Sequence, residues 1–152
     1  MIFIKNNQKT IKVDTRKLKK ECQIVLDTLN YSDFDVSIVL TTNKQIHVLN
    51  KKFRDKDKPT DILSFPFYPN LKAGERIVAI EEDDKNLGDL IIAPQYVLDT
   101  LHEWGHTFEE RMRILLIHGI CHLLGYDHIE DADYAVMKKE EERLLKELKT
   151  NA

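Results

Sequence analysis

The chain has 152 residues, 42% hydrophobic and 32% charged, the balance of one ordinary soluble domain with enough apolar material for a core. No apolar run approaches the roughly 20 residues that span a bilayer, and two cysteines provide no disulfide framework, which excludes a helical membrane protein and a cystine-stapled scaffold. Net charge is −3 but uneven: residues 1–58 carry 13 Lys/Arg against 7 Asp/Glu, and the remainder 10 against 19, so an acidic whole leaves room for a local phosphate-attracting patch.

Residues 1–4 and 10–13 read as short β-like pieces around a polar Asn6-Asn7 turn. The opening residues lack the basic-then-apolar pattern of a secretion signal, so a cytoplasmic protein is expected. Asp14 and Thr15 are helix-capping types, and Leu18, Cys22, Val25, Leu26 and Leu29 recur at mostly three- and four-residue spacing, which predicts a first helix to about Leu29. Phe34, Val36, Ile38 and Leu40 alternate as in a half-buried strand. Thr42 and Gln45 have capping-box spacing and open a second helix, with Ile46, Leu49 and Phe53 expected to face inward.

A charged loop follows, Pro59 marks the break, and residues 62–67 read as a strand. Residues 69–86 are polar and rich in turn formers, which predicts a mobile loop or hairpin with a solvated acidic run at 81–84. Residues 87–93 read as a strand closed by Pro94, and 94–104 as an amphipathic segment ended by Gly105. Thr107 and Glu110 form another capping box, opening a helix that runs through 112–124. Asp131 or Asp133 caps a last helix with Ala135, Val136, Leu144, Leu145 and Leu148 as its apolar positions.

The chemistry concentrates at His118-Gly-Ile-Cys-His122-Leu-Leu-Gly125-Tyr-Asp-His128. At about 100° per residue, four steps return a side chain to roughly 40° from its start, so His118 and His122 share one helix face. Gly125 can take the left-handed conformation that ends a helix, letting the chain turn back and His128 approach the same point. The helix is apolar almost all round and therefore buried. Buried imidazoles need partners for their ring nitrogens, and a divalent metal held by three of them supplies that partner. Cys121 lies about 60° from His118 on the helical wheel and reads as a small buried apolar residue rather than a fourth ligand. His47, His102 and His106 read as surface histidines, and Trp104 as a core or interface residue rather than a base-stacking platform.

The pattern resembles the metzincin protease signature H-E-x-x-H-x-x-G-x-x-H at every position except one: Gly119 stands where those peptidases carry their general-base glutamate. A wider resemblance is more specific. The stretch Phe53-Arg54-Asp-Lys-Asp-Lys-Pro-Thr-Asp-Ile-Leu-Ser-Phe-Pro-Phe67, the later Leu87-Gly-Asp89 and the histidine stretch are similar, in the same order, to three motifs of the YbeY family of bacterial endoribonucleases. The resemblance implies an α+β, zincin-like domain covering residues 1–152, with a small mixed sheet, helices packed on it and a central metal-binding helix. It also implies a metal-dependent endoribonuclease, specific for single strands, that acts on ribosomal RNA in 3′-end maturation of the small-subunit (16S) RNA and in ribosome quality control.

Three neutral imidazoles favour one Zn²⁺ and leave a position open; Ni²⁺ or another divalent ion fits the same donors. Phosphodiester chemistry also needs a cation at the phosphate. Arg54, among Lys51, Lys52, Lys56 and Lys58, has the planar fork for that role and falls on the family's motif arginine. Asp127 is a possible orienting carboxylate for a ligand histidine, and Asp89 is as compatible with a strand end as with catalysis. Two nucleophiles are compatible with the residues: water activated at the metal, or the 2′-hydroxyl of RNA. Two alternatives stay open, a non-catalytic ribosome-assembly factor stabilised by its metal and a metallopeptidase lacking the usual base.

Overall fold

The computed structural model describes residues 1–151. Among them four strands, β1 (Ile2–Asn6), β2 (Asp35–Leu40), β3 (Ile62–Pro66) and β4 (Asn86–Ile92), form one mixed sheet in the order β1-β2-β4-β3. β1 runs parallel to β2 and β2 to β4, whereas β3 is antiparallel to β4 and forms an edge. Five α-helices accompany the sheet: α1 (Thr15–Thr28), α2 (Asn43–Arg54), α3 (Pro94–Asp99), α4 (Phe108–Leu123) and α5 (Asp131–Asn151), with 3₁₀ turns at Glu82–Asp84 and Leu101–Glu103. This is the α+β class, with a small mixed sheet and helices packed on it. No described helix is long and apolar enough to cross a membrane.

Local chemistry accounts for most boundaries. Asp14 caps α1 by accepting from the Lys17 N–H at 3.1 Å. In β2 the alternation is realised, with Val36, Ile38 and Leu40 fully buried between half-buried neighbours. α4 begins with a reciprocal capping box in which Thr107 Oγ1 accepts from the Glu110 N–H and Glu110 accepts from the Thr107 N–H, both at 3.2 Å. Leu115, Leu116, Ile117, Ile120 and Leu123 of α4 are buried, and the helix packs between β3–β4 and α5. It approaches the sheet closely where it carries Gly119: a Cβ there would lie 2.8 Å from Ile62 Cδ1 and from Leu90 Cδ2.

Three expectations are corrected. Residues 10–13 are not a strand; the Gln8 side chain accepts from the Ile11 N–H and donates to its carbonyl (2.9 and 2.7 Å), closing a loop, and β1 pairs with β2 instead. Phe53 does not point into the core: it is half exposed and meets Phe65 edge-on at 5.3 Å, because β3 beneath it is the sheet edge. In α5, Ala135 and Val136 are exposed and Met137 takes the buried place, in helical register with Leu144 and Leu148. Of the loop or hairpin expected over residues 69–86, the loop is found, with one 3₁₀ turn at Glu82–Asp84 before β4 begins. It is tied down by Arg76, which donates to the Leu29 and Asn30 carbonyls and lies over the Tyr31 ring, and by Ile77, whose N–H donates to the Tyr31 hydroxyl.

Candidate metal centre

α4 delivers His118 and His122 on one face, and its termination delivers His128. Gly125, at φ +90°, follows the last turn, and any Cβ there would run into the Leu71 carbonyl, so this reversal requires glycine. His118, His122 and His128 each bring one ring nitrogen into a group whose atoms all lie within 4.8 Å of one another.

The hydrogen bonds around the rings define the electronics of the group. His122 Nδ1 lies 2.9 Å from the Tyr126 carbonyl oxygen, which can only accept. His118 Nδ1 lies 3.0 Å from Glu141 Oε2, also an acceptor. Both protons therefore belong on Nδ1, and both Nε2 atoms present bare lone pairs, yet these sit 3.0 Å apart. Two lone pairs at that separation repel unless a cation lies against both. Burial, reinforced by neighbouring His118, pushes the His122 pKa down to about 4, so this ring stays neutral near neutrality and keeps its lone pair for a cation. The donor set thus fits a divalent metal ion.

Cys121 is buried on another face of α4, and burial pushes its thiol pKa up, with Glu141 and Glu140 adding to the shift. It stays out of the histidine group, as expected of a small apolar residue. Of the other histidines, His47 pairs with Asp57 at 2.7 Å on the surface, and neither His102 nor His106 joins the cluster.

The three histidines open into a cleft of about 760 Å³ between edge strand β3 and helices α4 and α5. Arg54, at the end of α2, lines the same cleft. Its Nη2 donates to the Ser64 carbonyl at 2.7 Å and Nη1 to the Phe53 carbonyl at 3.3 Å, while the guanidinium lies 4.9 Å from the Phe65 ring centroid. These contacts hold the fork on the β3 edge and leave further N–H groups for a ligand. Asp61 and Thr60 precede β3 on the same wall, and Glu141 and Tyr134 of α5 face them.

Asp127 does not orient a ligand histidine; its carboxylate accepts from the Ile129 N–H at 3.3 Å. Glu141 and the Tyr126 carbonyl take that position instead. Sequence reading missed both. Glu141 lies 23 residues from His118 within a run of charges on α5, and a backbone carbonyl has no signature in side-chain pattern. Asp89 is exposed on β4, paired with Phe65 and Ser37, and does not line the histidine cleft. The Gly88 beside it has the structural role, since at φ +124° a Cβ would meet the Phe65 carbonyl.

A family model described as Endoribonuclease YbeY matches residues 3–149. The chain belongs to the YbeY family. A human endoribonuclease YbeY is 35% identical over 147 residues, covering 97% of this chain and 87% of that protein. The YbeY endoribonuclease of Carboxydothermus hydrogenoformans is 37% identical over 150 residues, 97% of each chain. Among solved structures, the solution structure of a Thermotoga maritima protein superposes with a TM-score of 0.59 at 28% identity, over 99% of this chain and 93% of that one. The motifs that suggested the YbeY resemblance thus sit within a match that runs almost end to end.

Proposed function

We propose that this chain is a single metal-dependent hydrolase domain, residues 1–152, that cleaves single-stranded RNA as an endoribonuclease. In this reading His118, His122 and His128 hold one divalent ion, for which the all-imidazole donor set favours zinc. The observation that carries it is the convergence of two lone-pair-bearing Nε2 atoms 3.0 Å apart, in the same open cleft as Arg54. A bound ion supplies a Lewis acid for the phosphoryl group.

The protein's own groups perform the rest. Arg54, anchored on β3 by the Ser64 carbonyl and on its own helix by the Phe53 carbonyl, offers its remaining donors to phosphate oxygens and favours the charge that builds on them. Glu141 and the Tyr126 carbonyl hold the imidazoles in the tautomer that turns Nε2 toward the cleft. Position 119 supplies no base, because glycine has no side chain, and a Cβ there would crowd Ile62 and Leu90. That argues against peptidase chemistry of the metzincin kind. The open cleft argues for catalysis over a closed structural site. A ribosomal RNA substrate, with 3′-end maturation of the small-subunit RNA, association with the small subunit and action in the cytoplasm, follows the family resemblance.

The test is cleavage of single-stranded RNA by the metal-loaded wild type, with His122→Ala purified identically. Cleavage by the wild type alone is expected. Equal cleavage by both would overturn the assignment of this site. No cleavage by either, with metal bound to the wild type, would favour the non-catalytic assembly-factor reading.

A further inference from the structure

Of the core or interface places expected for Trp104, the core is excluded: it is 47% exposed, and Tyr134, in the first turns of α5, is 53% exposed. Both line the histidine cleft, and both also line a second cavity of about 510 Å³ beside it. They therefore stand on the saddle between the two cavities, and a chain running from one to the other crosses them.

The indole is braced by a cation and is otherwise half exposed. The Arg111 guanidinium carbon lies 3.7 Å from the Trp104 ring centroid, and Arg111 is itself buried and paired with Asp61 at 3.3 Å. A cation stacked on the ring fixes it while about half of its surface stays exposed. Lys138, 6.0 Å from the Tyr134 ring centroid, lines the second cavity and adds a cation along that path. A fixed aromatic face beside cations is the arrangement that holds single-stranded nucleic acid, with bases on the rings and phosphates on the charges.

We propose that Trp104 and Tyr134 form a base-stacking platform that seats a nucleobase adjacent to the cleavage site. This rests on the endoribonuclease reading and deepens it, because a base inside a duplex cannot reach the platform, which would make the enzyme prefer single strands.

Trp104 is the only tryptophan, so its fluorescence reports the platform directly. Octauridine RNA and an abasic chain of the same backbone would be mixed with metal-loaded protein in a stopped-flow instrument and read before cleavage. Affinities would be measured by anisotropy for wild type, Trp104→Ala, Trp104→Phe and Tyr134→Ala. Octauridine is expected to quench Trp104 and the abasic chain to leave it unchanged. Trp104→Ala should weaken octauridine binding by about 5- to 100-fold with no effect on the abasic chain, Tyr134→Ala should act in the same direction, and Trp104→Phe should retain most of the affinity. Unquenched fluorescence, with octauridine bound equally by wild type and Trp104→Ala, would overturn the platform and leave the nuclease reading standing. Loss of abasic binding in Trp104→Ala would also overturn it, by reducing the indole to a structural cover for Arg111. Failure of the wild type to bind either RNA would overturn the nuclease reading and the platform with it.

Discussion

The two faces of α4 do opposite work with residues that alternate along one stretch. The face toward the sheet carries Gly119, which is buried, and approaches so closely that a single added carbon there would crowd Ile62 and Leu90. The face toward the cleft carries Ile114, His118 and His122, half-buried and open to a cavity. His118 and Gly119 are sequence neighbours about 100° apart on the helix. One serves chemistry and the other serves packing. A glutamate after the first histidine, as in the metzincin pattern, would here have to displace Ile62 and Leu90.

That contrast can be broken from either side. The largest effect should come from Gly119→Glu, which restores the peptidase-like pattern but leaves a carboxylate without a partner among apolar side chains. About 3–5 kcal/mol of stability should be lost, read as a fall in the urea midpoint, and no peptidase activity should appear. A stable variant that hydrolyses peptides would contradict the assignment of faces. Gly119→Ala should cost less, about 1–3 kcal/mol, since only methyl ends must shift.

On the cleft face, Arg54→Ala should keep the metal and lose RNA cleavage by about 10²- to 10³-fold, the usual cost of removing one donor to developing charge. Wild-type turnover in that variant would reduce Arg54 to a surface charge. Glu141→Gln should weaken metal affinity by roughly 10- to 100-fold without unfolding the domain, measured by competition with a chromogenic chelator.

The smallest effect is a pH dependence of the protein kept in chelator. Burial and His118 hold the His122 pKa near 4, below the ordinary 6.5 that the unfolded chain recovers. Between those values the unfolded state binds the proton and the folded state does not, so stability falls as pH drops from 6.5 toward 4 and this residue adds nothing further below. Urea midpoints that stay flat across that window, or rise on acidification, would count against a neutral His122.

Much of this was legible in the chain itself. The alternation through Val36, Ile38 and Leu40, the Thr107–Glu110 box, and the spacing of His118, His122, Gly125 and His128 each encode a local geometry that the structure realises. Features that depend on distant partners were not legible. β1 pairs in parallel with β2 across the whole of α1, which leaves residues 10–13 without a strand to join. Met137 rather than Val136 is buried because docking against α4 and α1 sets the rotation of α5, whose own sequence is mostly charged. Glu141 reaches His118 only through that same docking.

The central claim is that three imidazoles on the cleft side hold one metal ion, and the most direct measurement is the metal content of purified wild type beside His122→Ala by mass spectrometry. One divalent ion per chain in the wild type, and none retained by a folded His122→Ala, is the expected result. Equal metal in both proteins, or none in wild type after zinc loading and desalting, would contradict it.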